Sequence, residues 1–311
     1  MKESWVIRED IKVAIEKGQP VVALESTIIS HGMPYPQNLK TALECEAIIE
    51  RHGAIAATIA ILDGTIKIGL TPDEIERIAK KEEPVEKASR RDIPYLITMK
   101  KNGALTVAAT MIAANLAGIR LFATGGIGGV HRDAESTFDV SADLEELAKT
   151  NVCVVSAGIK SILDLPKTME VLETKGVPVI GYKTDVLPEF YTRGNEINIP
   201  MRLDSPAEIA ALLKQKWDLG LTGGVMVANP IPKKNAYPKE TIDKAIHKAL
   251  IDMGSDGISG KEQTPYLLDR IKELTGGESL QANIALVYNN CELAANIACA
   301  FAERVSSNET R

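Results

Sequence analysis

Aromatic side chains are scarce: 4 Phe, 2 Trp and 7 Tyr, or 4% of 311 residues. The core must therefore be aliphatic, built from Ile, Val, Leu and Ala, which suits a parallel sheet covered by helices. Cysteine is equally sparse. Cys45, Cys153, Cys291 and Cys299 form no C-x-x-C pair and sit in apolar surroundings, which argues for buried free thiols in a reducing compartment over bridges or zinc ligands. No run approaches 18 apolar residues, so no membrane span is expected. The opening MKESWVIREDIK has no apolar centre, so no signal peptide is expected either, and the reading is a cytoplasmic protein. Positive charge is in deficit, with a net charge of −6 and a pI near 5.5. That speaks against a nucleic-acid backbone as partner, although a small phosphorylated ligand needs only a local basic spot. G-x-x-x-x-G-K-[ST] is absent, so there is no Walker loop. Low-complexity linkers, repeats and breaks in composition are also missing, which predicts one domain over residues 1–311.

What the chain does have is concentrated in Thr124–Asp143, TGGIGGVHRDAESTFDVSAD. A short apolar run, Leu121-Phe122-Ala123, reads as a buried strand. Gly125, Gly126, Gly128 and Gly129 then permit positive φ and close approach of a ligand. A polar cluster follows, from His131 to Asp143. Gly126 and Gly128 supply only part of a dinucleotide fingerprint, because His131 stands at the third glycine position. The stretch reads instead as one wall of a small polar site at a strand end, where open α/β sheets bind ligands.

Strand and helix patterns alternate along the rest. Strands are predicted at 21–24, 56–62, 65–70, 121–123, 152–156, 177–182 and 225–228. Asp63-Gly64 is a two-residue hairpin signal, and Thr71-Pro72-Asp73-Glu74 a helix start. Helices are expected at 9–17, from an Asn38 cap to Arg51, at 71–81, 106–116, 141–149, from Ser161–Leu165 onward, and at 206–217, 238–252, 261–274 and 280–304. Residues 85–92 read as a basic connector and 190–203 as irregular. The alternation predicts a three-layer α/β/α fold with a mixed, mostly parallel central sheet.

Reactive side chains fall at several strand ends. Glu25 follows Val21–Leu24, where partial burial would raise its pKa and suit proton transfer; a loop hydrogen bond is the competing use. Lys160 follows SAGI, where a desolvated amine can attack a carbonyl, or simply be a solvated lysine in a helical turn. Glu135, Asp139 and Asp143 recur every four residues, and hard carboxylates with few histidines suit Mg²⁺ or Mn²⁺ rather than zinc. Lys87, Arg90 and Arg91 can hold a phosphate, as can Thr106 and the amide of Val107 at a helix start.

The segments VVALESTIISHGMPYPQN, KASRRDIP, NGALTVAATMI, FATGGIGGVHRDAESTFDVSADL, SAGIKSILD, VANPIP, GKEQTPYLL and NIALVYNN, spread in order over about residues 20–290, resemble the pseudouridine-5'-phosphate glycosidases, also grouped with indigoidine synthase A-like proteins. The resemblance implies a lyase-like glycosidase that reversibly cuts pseudouridine 5'-phosphate into uracil and ribose 5-phosphate. It also implies a Mn²⁺ requirement and a homotrimer. By position, Glu25 matches the family's proton donor, Lys160 its nucleophile and Asp139 its metal ligand. Lys87, Val107 and the run Ser141-Ala142-Asp143 match substrate contacts, and Asn283 a further site asparagine. The bond cut joins two carbons, and uracil C5 is a poor leaving group, so paired carboxylates alone are unattractive. A lysine imine at C1' of the opened ribose provides the electron sink. Two rivals remain: an aldolase-like lyase on another sugar phosphate, and a nucleotide-binding protein without turnover.

Overall fold

The computed structural model describes residues 4–194 and 196–309. Eleven strands are seen among them: β1 (Trp5–Ile7), β2 (Val21–Leu24), β3 (Ile55–Leu62), β4 (Thr65–Ile68), β5 (Val85–Ala88), β6 (Asn102–Leu105), β7 (Leu121–Ala123), β8 (Cys153–Ser156), β9 (Val179–Tyr182), β10 (Met201–Leu203) and β11 (Val225–Ala228). They join in the order β1-β4-β3-β2-β7-β8-β11-β9-β10, with β6 bridging β3 and β5. Pairing from β3 through β2, β7, β8, β11, β9 and β10 is parallel throughout. The antiparallel additions are the pairs that β3 makes with β4 and β6. The sheet is thus mixed and mostly parallel, as the alternating pattern implied.

Strands β2, β7, β8 and β11 are buried at every residue. Since neighbouring side chains point to opposite faces, both faces are covered. One group of helices, Gln37–Arg51, Pro206–Asp218 and Glu278–Glu309, packs together with β2, β3, β7 and β8. A second, Val107–Leu116 with Ala142–Lys149, packs on β2, β3, β4 and β6.

Strand β3 matters most for the site. Its first half, Ile55–Thr58, pairs with β2, and its second half with β4 and β6. Strand β6 thus takes up β3 where β2 leaves off. Ser26 seals this junction, its hydroxyl donating to Ile59 C=O at 2.7 Å and accepting from Leu105 N–H at 2.8 Å. The junction brings Lys87 and Thr106, which belong to the β5–β6 unit, over the carboxyl end of β2. The Asp63-Gly64 hairpin is present with φ of 51° and 73°, and Thr71 closes a full capping box with Glu74.

Several expectations are corrected. Residues 85–88 of the basic connector form β5, and β6 was not expected at all; Asn102-Gly103-Ala104-Leu105 has too few apolar residues to alternate. Met201–Leu203 forms β10 within the stretch read as irregular. Asn38 lies inside its helix, where its amide donates to Ile29 C=O and Ala79 C=O at 2.7 and 2.9 Å. The helix expected to start within Ser161–Leu165 begins at the end of that range, at Leu165, where Asp164 caps it by accepting from Lys167 N–H. Helix Glu278–Glu309 contains a stretch that, by length and composition, is long and apolar enough to cross a membrane, against the expectation of none. Its buried Leu286, Ala294, Ala295 and Ile297 belong to the main core, as in any core helix.

Candidate active site

Parallel strands β2, β7 and β8 end side by side. Glu25 directly follows β2, the Thr124–Gly129 turn follows β7, and Lys160 lies four residues past β8. The start of helix Val107–Leu116 and the Asp139–Asp143 segment close the sides. Glu25, Lys87, Thr106, Val107, Asp139, Ser141, Ala142, Asp143, Lys160 and Asn283 all line one cavity of about 630 Å³. These residues therefore border one space at the carboxyl ends of parallel strands, the position where open α/β sheets take ligands; Glu135, expected beside Asp139 and Asp143 as a metal-suited carboxylate, does not, being exposed and paired with Lys167 at 2.9 Å.

Glu25 is buried, and the Thr124 hydroxyl donates to its Oε1. Burial pushes its carboxyl above the ordinary carboxylate range, opposed by the charge of Lys160 and by the Thr124 hydrogen bond. Thr124 is itself fixed, its N–H donating to Val155 C=O at 3.0 Å and its carbonyl accepting from buried Asn290 at 2.8 Å. Asn290 in turn accepts from Asn229 at 3.0 Å. The asparagines of VANPIP and NIALVYNN thus form a buried brace under Thr124 and Glu25.

Lys160 is held by its backbone, with its N–H donating to Ile127 C=O at 3.1 Å. Just before it, Gly158 has φ of +85° and stands so close to Pro188 that a Cβ would lie 1.9 Å from its carbonyl oxygen. Lys87 projects from β5. Burial, and then the like charge of Lys160, push its ammonium down to about 8, and its Nζ donates to Lys261 C=O at 3.0 Å. Arg90 is paired with buried Glu146, and the more exposed Arg91, also on the cavity wall, sits 3.7 Å from Asp92.

The positive φ expected of the GGIGG glycines is not seen, although Gly125, Gly126 and Gly128 do border the cavity. They are small because the loop is packed: a Cβ on Gly126 would lie 2.6 Å from the Phe190 ring, one on Gly128 2.3 Å from Ser141 Oγ, and one on Gly129 2.4 Å from Thr168 Oγ1. Asp143 locks this arrangement. Its Oδ1 accepts from Ala108 N–H at 2.9 Å and its Oδ2 from Gly128 N–H at 2.8 Å, so it clamps the loop to the neighbouring helix start. Asn283 is buried, and its Oδ1 has no partner among the described residues. A buried acceptor on a pocket wall is available to a ligand N–H.

The wall expected over Thr124–Asp143 already held Thr124 and His131, both of which line the cavity, though without a separate role for either. Lys261 and Gln263 were not foreseen as site residues: they lie in the quoted GKEQTPYLL, but nothing in their own chemistry marked them. His131 lines the cavity, and burial lowers its pKa. Asp139 accepts from the Gln263 amide at 3.0 Å. Among the described residues no cluster of three or more His, Cys, Asp or Glu could hold a metal, so a closed protein cage is not built here. A single hard carboxylate on the wall of a roomy cavity fits an ion that keeps most of its waters.

A parallel sheet with a lysine and a buried glutamate on one cavity at its carboxyl edge has the build of an α/β enzyme. The chain belongs to the family described as indigoidine synthase A like proteins, whose model matches residues 10–300. It is 59% identical over 298 residues to the pseudouridine-5'-phosphate glycosidase of Geobacillus kaustophilus (strain HTA426), covering 96% of this chain and 99% of the relative. To the protein of the same name from Escherichia coli (strain K12) it is 56% identical over 292 residues, or 94% of each. Among solved structures, the prealnumycin C-glycosynthase AlnA in complex with ribulose 5-phosphate superposes with a TM-score of 0.89 at 36% identity, over 97% of this chain and 98% of that one. An indigoidine synthase A-like protein from Thermotoga maritima gives 0.88 at 33% identity, over 97% and 98%.

Proposed function

We propose that this chain cleaves the carbon–carbon glycosidic bond of pseudouridine 5'-phosphate, reversibly, to uracil and ribose 5-phosphate. The observation that carries the reading is one cavity in which a buried carboxyl, an amine and a wall of anion-binding groups face one another. A C-glycoside has no heteroatom to leave on, so the bonding pair must pass to uracil C5, which takes a proton, and a nitrogen on C1' must supply the pair that replaces it. The Lys160 amine adds to C1' as the C1'–O4' bond breaks, and Glu25 gives its proton to O4'. The nitrogen returns a proton to Glu25. Its lone pair then forms the C1'=N bond as the C1'–C5 bond breaks, and Glu25 delivers that proton to C5 of uracil. Water hydrolyses the imine, releasing ribose 5-phosphate and free Lys160. The open-chain sugar draws support from the C-glycosynthase of similar fold, whose ribulose 5-phosphate has its 5-hydroxyl esterified and cannot close a furanose on it.

Lys87, Thr106 and the Val107 amide, first of a helix whose leading N–H groups lack intrahelical acceptors, hold the phosphate. Asn283 accepts a uracil N–H. Asp139 would hold Mn²⁺, which supplies positive charge to the phosphate or its waters. A homotrimer is part of the reading, supported by Phe138 and Val140, apolar yet 86% and 46% exposed on either side of Asp139.

The test is chemical. Lys160→Arg keeps the charge but is a very poor nucleophile; its turnover should fall by about 10³-fold or more (a barrier increase of about 4 kcal/mol). Borohydride with ribose 5-phosphate should add the reduced sugar phosphate to the peptide carrying Lys160, read by mass spectrometry. An active Lys160→Arg enzyme with no adduct in the wild type would overturn the covalent route. Turnover without free uracil would point to a different lyase.

A further inference from the structure

The segment GKEQTPYLL matches the family yet supplies none of the groups used above. Its first residues, Gly260–Glu262, form one tight turn leading into helix Gln263–Leu274. Gly260, Lys261, Thr264 and Pro265 line the main cavity. Two contacts fasten the turn to the site: the Lys87 ammonium donates to Lys261 C=O, and Gln263 Nε2 donates to Asp139 Oδ2, both at 3.0 Å. One amide therefore reaches Asp139 from 124 positions further along the sequence.

Asp139 needs such a tie. It sits in a loop between two exposed apolar residues, after Phe138 at φ of 54°. A carboxylate on a loop is free to turn, and a hard cation bound through a single protein oxygen gains most when that oxygen is already fixed. A neutral amide suits the task, because a lysine would neutralise the carboxylate and a second acid would repel it. Gln263 uses Oδ2, and among the described residues no donor is paired with Oδ1. We propose that Gln263 is a positioning residue for Asp139, holding Oδ2 so that Oδ1 is presented to a divalent cation. The inference rests on Asp139 being the metal ligand.

The experiment titrates Mn²⁺ alone into the full-length apoprotein and follows loss of the free-ion electron paramagnetic resonance signal, which needs no turnover. Circular dichroism checks that each variant is folded. Gln263→Leu should bind Mn²⁺ about 10–100-fold more weakly than wild type. Thr264→Val, on the same turn, should bind as wild type does, and Asp139→Asn should lose the site. If Asp139→Asn loses the ion while Gln263→Leu matches wild type, Gln263 has no positioning role and the metal assignment stands. If Thr264→Val weakens binding as much as Gln263→Leu, the turn as a whole matters and not the amide, and the proposal falls. If Asp139→Asn binds as wild type does, the metal assignment itself fails and takes the proposal with it.

Discussion

Lys87 and Lys160 share one cavity with Glu25, and each alters how readily the others carry charge. The Lys87 ammonium, lowered to about 8 by burial and by Lys160, discharges just above neutral pH. KM for the phosphorylated substrate should therefore rise above about pH 8, by up to tenfold per pH unit, while kcat at saturation falls less. Lys87→Arg, charged across this range, should keep KM flat; the same onset in that variant would remove Lys87 from the phosphate site. Glu25 gives a stability signature of opposite origin. Its folded pKa lies above the ordinary 4.5, so above that pH the unfolded chain ionises first and releases protons that the folded chain keeps. The penalty is absent below about 4.5 and grows as pH rises. Glu25→Gln should melt higher than wild type at pH 8, with the gap closing toward pH 4, while turnover is lost. A gap that widens on acidification would contradict the burial argument.

Among the elements, the loop after β7 and the helix at Val107 act as one unit because Asp143 holds both. Asp143→Asn can accept only one of the two backbone N–H groups and turns its own NH₂ toward the other. It should cost about 3 kcal/mol in chemical denaturation, since each bond is charge-assisted and the orphaned donor is buried. A loss below about 1 kcal/mol would mean that the loop stands without the clamp. These details also mark how far the sequence could be read. Elements with their own signature were legible: the Asp63-Gly64 hairpin, the Thr71 capping box, and β2, β7, β8 and β11 as continuous apolar runs. Strand β6, Asn102-Gly103-Ala104-Leu105, exists because β3 outruns β2 and needs a new partner, a tertiary cause that no local pattern carries. The site residues were legible as a set through motif resemblance, whereas the reason for GGIGG was not. It lies in the Phe190 ring, Ser141 and Thr168, which come from distant segments and leave no room for a Cβ. Asp143 shows the same limit: it borders the cavity, but nothing in its own segment announced the two backbone N–H groups it holds.

At the scale of the whole molecule, the chain carries net charge −6 while its cavity gathers Lys87, Lys160 and Arg91. A dianionic ligand is thus repelled at a distance and attracted at close range, so modest salt should change kcat/KM less than at a uniformly basic site. Sedimentation should give a species three times the mass of the chain. Phe138→Asp should shift it toward smaller species, and a wild-type monomer would remove the trimer from the reading. The bond from Lys87 to the Lys261 carbonyl has a kinetic side. In the free enzyme the ammonium already has an acceptor, so a phosphate held there, as proposed, would compete with a group built into the chain. That internal competitor weakens the grip on substrate and product alike. It also waits to reclaim the ammonium once the sugar phosphate loosens, so tightness is exchanged for faster departure in a reaction that runs in both directions.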